Sequence, residues 1–126
     1  MPILFNALAL AGVCATAAMH WWGLMYDLYW IYWWWDIPAH IVGGLTIGFW
    51  AAAVSWRLGL NSRHALYFML GLALSVGVAW EVWEAIVGVG GGPEGYALDT
   101  LKDFADDLIG VFLAWLLYGH LINRTP

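Results

Sequence analysis

Four stretches of mostly apolar residues, each close to the length needed to cross a bilayer, leave this chain very few architectures. They run from about Pro2 to Trp22, Pro38 to Leu58, His64 to Val89 and Asp99 to Ile122. Inside hydrocarbon every backbone N–H and C=O must be bonded within the protein, so spans of this length read as helices. The predicted fold class is all-α: an integral membrane four-helix bundle, a single transmembrane domain over residues 1–126. Composition agrees. Only 10% of residues are charged, where soluble domains carry about 25%. The first stretch contains Ala15-Thr16-Ala17, which resembles a signal-peptide cleavage site. No basic segment precedes it, so it reads as the first span.

The few charges are unevenly placed. Of nine carboxylates, seven fall in three clusters: Asp36 beside His40, Glu81 with Glu84, and Asp99, Asp103, Asp106 and Asp107. All three lie at the same end of the bundle. An ionised carboxylate in hydrocarbon costs about 2.5–3.5 kcal/mol on insertion scales unless paired, neutralised or hydrated. Helical spacing puts Asp36, His40 and Gly43 on one stripe, Gly77, Glu81 and Glu84 on a second, and Asp99, Asp103, Asp106 and Gly110 on a third. Small residues let membrane helices approach closely, so these glycines are expected to mark the faces that meet. Asp107 is rotated off its stripe and is expected at the rim. Asp99 is expected to cap the last helix with Thr100, and Asp36 to cap the second.

The connections are an aromatic stretch (Gly23–Trp35), a basic turn (Gly59–Arg63) and a glycine/proline loop (Gly90–Gly95), read as a connector or a lid. Tyr26, Tyr29, Trp30, Tyr32, Trp33, Trp34 and Trp35 form an interfacial belt. Arg57, Arg63 and Arg124 sit at the end opposite the acids. By the positive-inside rule both termini are cytoplasmic and the acidic end faces outward, in an inner or plasma membrane. His20, His64 and His120 lie at span ends and read as interfacial residues. Cys14 has no internal partner for a disulfide. Four Lys/Arg and a net charge of −5 exclude nucleic-acid binding.

Carboxylates gathered in low dielectric cannot all ionise; they share protons or hold a cation. Oxygen-rich sites suit hard divalent ions such as Mg, Mn or Ca. The candidate metal ligands are Glu81, Glu84, Asp99, Asp103 and Asp106, with Asp36 and His40 as the candidate acid–base pair. A di-iron Glu-x-x-His pair is missing, and so are zinc-protease, serine-nucleophile and phosphate-loop motifs.

The order Asp36…His40…Gly43, Glu81-x-x-Glu84, then Asp99-Thr100…Asp103…Gly110 resembles the YjdF family of bacterial inner-membrane proteins and, more distantly, the VanZ-like family. The likeness covers roughly residues 36–117. VanZ-like proteins tend to carry Lys where this chain has Ile37, Gln near Glu84 and Asn at Asp107. The resemblance implies a helical membrane protein with a polar site at these positions, and little about a reaction; VanZ-like proteins are linked to teicoplanin resistance.

The expected function is therefore an acidic, metal-assisted or proton-sharing site that binds or acts on a lipid or polyprenyl headgroup near the outer leaflet. The alternative is a structural or accessory subunit whose aromatic belt docks onto a membrane-protein partner or a second copy of the chain. Ion or proton passage is disfavoured, because the basic half of every span lacks matching polar groups.

Overall fold

The structure is a computed structural model that describes residues 1–88 and 95–123. Arg124 and most of the Gly90–Gly95 loop, with its connector-or-lid reading, lie outside the described residues. Those described are helical, without strands: α1 (Pro2–Met25), α2 (Leu28–Ile31), α3 (Asp36–Arg57), α4 (Ser62–Val87) and α5 (Tyr96–Ile122). All but α2 are long and apolar enough to cross a membrane.

Local chemistry sets the boundaries. Tyr26 closes α1 by bonding its N–H to the Trp22 carbonyl, and Asp27 follows with φ 54. Asp is among the few residues that take this left-handed conformation readily. α2 then folds back, so that the Tyr29 ring covers buried Gly23 and leaves no room for a Cβ there. α3 begins at Asp36 itself, with Trp35 in the cap position and Pro38 in the first turn. Asp36 is therefore not the cap, but it lies where the helix dipole favours an anion. α4 starts at Ser62, two residues earlier than the apolar pattern predicts, because the Asn61 side chain accepts the His64 N–H at 3.0 Å. Gly88, φ 73, ends it. α5 starts three residues earlier than predicted, after Gly95, whose carbonyl accepts the N–H groups of Leu98 and Asp99. Asp99 thus lies within the first turn and is not a cap.

α3 is the hub. It packs most extensively on α5, then on α1, and also on α4, which in turn packs on α5. Small residues bring α3 and α5 together. A Cβ on Gly44 would collide with the Asp107 backbone, and one on Gly110 with the backbone of Ile41, Gly44 and Leu45. Gly48 opposes Ala114 one turn further along. Without a hydrophobic drive between helices in lipid, this close approach supplies the van der Waals contact that holds them. Gly110 and Gly77 mark meeting faces as predicted, Gly77 facing Phe104. Gly43 does not: its neighbour Gly44 makes the α5 contact.

The half away from the acids is a hydrophobic core of Phe5, Ala51, Ala52, Ala53, Ala65, Met69, Ala73, Val111 and Tyr118. Two of its aromatic side chains are tied to the α3–α4 turn. Tyr118 donates to the Leu60 carbonyl at 2.7 Å, and the Trp115 indole to the Ser62 carbonyl at 2.8 Å. The other half is built differently.

Candidate functional site

The close α3–α5 crossing places the acidic residues. Because α5 begins at Tyr96, Asp103 lies about 10 Å down the helix and Asp107 about 16 Å, at 1.5 Å rise per residue. Both are buried. Gly44, one turn beyond His40, rests on the Asp107 backbone, and this sets the Asp107 carboxylate against the imidazole.

His40 is the centre of the cluster, its side chain 11% exposed. Nδ1 lies 3.3 Å from Asp107 Oδ1. Nε2 lies 3.5 Å from Asp36 Oδ1 and 3.6 Å from Asp103 Oδ1. Asp36 and Asp103 both approach the same imidazole nitrogen. One turn of α5, from Asp103 to Asp107, and Asp36 in the first turn of α3 thus surround one imidazole with carboxylates.

A second group adjoins the first. Glu81, Glu84 and Asp103 offer ligand atoms within 4.8 Å of one another, as do Asp36, His40 and Asp103. Asp103 belongs to both groups. The glutamates are held from outside: Thr100 donates to Glu81 Oε2, and the Trp80 indole donates to Glu84 Oε1 at 2.9 Å. Glu84 is buried although it stands in the last turn of α4.

Asp36, His40, Glu81, Glu84 and Asp103 are therefore brought together as the stripes predict. Asp99 and Asp106 are in neither group; both are partly exposed on α5. Asp107 departs from expectation in the opposite sense: it is buried at the centre, not at the rim. On a helix, Asp107 continues from Asp103 along the face that also carries Gly110, Val111, Ala114 and Tyr118, all buried. That apolar continuation in the sequence points to Asp107 rather than Asp106.

Two further residues escape the sequence reading. His20 is not merely interfacial: Nδ1 lies 3.1 Å from the Tyr29 hydroxyl, and its ring packs on Trp80 and Trp83. Tyr29 stands outside the spans and half-buried beside the cluster. Burial, and then the charges of Asp36, Glu84 and Asp103, push its phenol well above the ordinary tyrosine range.

Beside the cluster, α1, α3 and α4 enclose a cleft of about 400 Å³. Its polar end is made by His20, Tyr29, Asp36, His40, Glu84 and Asp107. The remainder is mostly apolar.

Fold and site together define a four-span helical membrane protein with a histidine–carboxylate cluster buried at one end. The chain belongs to a family described as predicted membrane protein (DUF2238), whose model matches residues 2–124. The match supports a membrane family and does not carry the YjdF or VanZ naming. No curated protein and no solved structure matches the chain.

Proposed function

We propose that the cluster holds two divalent cations bridged by Asp103, and uses them to bind and act on a phosphate-bearing lipid headgroup. His40, Asp36 and Asp103 ligate one ion; Glu81, Glu84 and Asp103 ligate the other. The observation that carries this reading is the setting of His40. One ring nitrogen is engaged by Asp107 and the other faces two carboxylates. Metal-ligating histidines almost always have their second nitrogen on a carboxylate, carbonyl or water, which fixes tautomer and ring orientation. This gives His40 and Asp36 to the metal rather than to proton transfer.

Charge supports two ions. Asp36, Glu81, Glu84, Asp103 and Asp107 carry five negative charges when ionised, and two divalent ions bring the site near neutrality. The mostly oxygen donor set suits Mg, Mn or Ca, with Mn the one most compatible with an added imidazole. Paired ions stabilise both the attacking and the leaving oxygen of a phosphoryl group and acidify a bound water. Arg57 and Arg63, exposed at the far end of α3 and the start of α4, favour placing the cluster at the outer face.

The test is Mn2+ stoichiometry on the purified protein in detergent. The expected result is two Mn2+ per chain, falling to one in His40→Gln and in Glu84→Gln, each of which breaks one ligand group. No bound Mn2+, or binding unaffected by all ligand substitutions, overturns the reading. The accessory-subunit alternative is favoured by one observation: Trp21, Trp22, Tyr26, Trp30 and Trp33 are all more than half exposed. Headgroup contact accounts for that collar equally well, so the cluster decides between them.

A further inference from the structure

The cleft beside the cluster has a shape that the cluster alone does not need. Its polar end is the site itself. Away from that end it is walled by Val13, Ala17, Gly43, Ile47 and Val76, in the apolar depth of the bundle. Its volume of about 400 Å³ falls within the ~300–1,000 Å³ usual for ligand sites. Gly43 keeps the space open: a Cβ there would find only Asp107 Oδ1, at 3.8 Å. Lower down the space closes, where a Cβ on Gly12 would strike Thr46 of α3.

The sides differ. α3 forms the floor, while α1 and α4 flank the cleft, meeting through His20 against Trp80 and Trp83 at the polar end. Below that contact the flanking walls include Val13 and Val76, which are 53% and 42% exposed. In a membrane such positions face acyl chains. A slot with lipid-facing apolar walls, closed below and polar at one end, admits its ligand sideways from the bilayer.

We propose that this cleft is the seat of one hydrocarbon chain of a phosphate-bearing lipid, entering laterally between α1 and α4. The chain lies along Ala17, Gly43, Ile47 and Val76, and the head meets the His40–Asp103 cluster beneath His20 and Tyr29. The placement of the head rests on the two-cation reading above; the seating of the chain rests on the cleft.

The experiment uses the full chain in nanodiscs and farnesyl monophosphate bearing a diazirine on its distal isoprene unit. Labelling is expected on Val13, Thr16 and Val76, and to fall at least fivefold in Val13→Trp, which fills the slot without touching the cluster. Leu113→Trp, a lipid-facing control on α5 outside the cleft, should label as wild type. Mn2+ binding is measured on the same samples, and inorganic phosphate serves as a chainless competitor. Cleft-confined labelling that survives millimolar phosphate supports a lipid chain as the recognised element. Mn2+ binding with labelling spread over outward residues such as Ile3 and Leu113, or unchanged in Val13→Trp, overturns the chain site and leaves the cations standing. Cleft-confined labelling with no bound Mn2+ removes the cations and keeps the chain site.

Discussion

Asp107 and His40, sixty-seven residues apart in sequence, meet at 3.3 Å because Gly44 and Gly110 let the backbones of α3 and α5 come into contact. The relationship ties packing to chemistry. If Asp107 orients His40 toward the cation, Asp107→Asn should keep the fold and weaken Mn2+ binding by about 10–100-fold, the usual cost of losing such a supporting carboxylate. Isothermal titration checks it. Unchanged affinity would mean that Asp107 merely fills space.

The glycine crossing itself is testable. Gly44→Ala and Gly110→Ala each force a methyl group into opposing backbone. Overpacking of this kind costs about 1–3 kcal/mol, and here it also moves Asp107 from His40. Both variants should lower the thermal midpoint in detergent and weaken Mn2+ binding. Gly43→Ala, with open space beside it, should leave stability near wild type.

Metal uptake should depend on pH with a definite sign. The ligands bind a cation only when deprotonated, so binding displaces protons. Affinity should therefore fall as pH is lowered from about 8 to 5, the range in which an ordinary histidine takes up its proton. Titrations in buffers of different ionisation enthalpy should report proton release on binding. Affinity that is flat across that range contradicts ligation by these groups.

Tyr29 gives a second pH signature. Its phenol is held above the ordinary range by burial and by neighbouring carboxylates. A raised pKa in the folded state means stability present below about pH 10, the unfolded tyrosine value, and lost as pH climbs beyond it. The difference absorbance between wild type and Tyr29→Phe should show no tyrosinate as pH passes 10. A signal there would place Tyr29 in water rather than over the site.

At the opposite end, Tyr118→Phe removes the hydroxyl that donates to the Leu60 carbonyl. Leaving a buried acceptor unpaired costs about 1–3 kcal/mol. Thermal stability should drop while Mn2+ binding stays intact, separating structural from site effects. Ser55→Ala should be close to neutral, since that buried hydroxyl has no hydrogen-bond partner among the described residues.

Much of this was legible in the sequence because the membrane removes alternatives. Apolar length named the four spans, and the expense of buried charge forced Glu81, Glu84, His40 and Asp103 to one place. The boundaries were harder. The apolar pattern locates a span but not its cap, so Asn61 and Gly95 extended α4 and α5 beyond the hydrophobic signal. The choice between Asp106 and Asp107 turned on rotation. Aligning acids with Asp99 selected Asp106, whereas aligning them with the buried run Val111, Ala114 and Tyr118 selects Asp107. His20 was unreadable for another reason: its partner Tyr29 reaches it only because Asp27 turns the chain back. The cleft arises from how α1, α3 and α4 diverge, which no local pattern encodes.

Sharing of Asp103 by two cations is what joins the two ligand groups into one proposed site. Electron paramagnetic resonance of the Mn2+-loaded protein tests it most directly, because two Mn2+ joined by one carboxylate are exchange-coupled. A coupled-pair spectrum is expected in wild type and should collapse in Asp103→Asn. Only the six-line signal of isolated Mn2+ at every loading, or none bound at all, would contradict it.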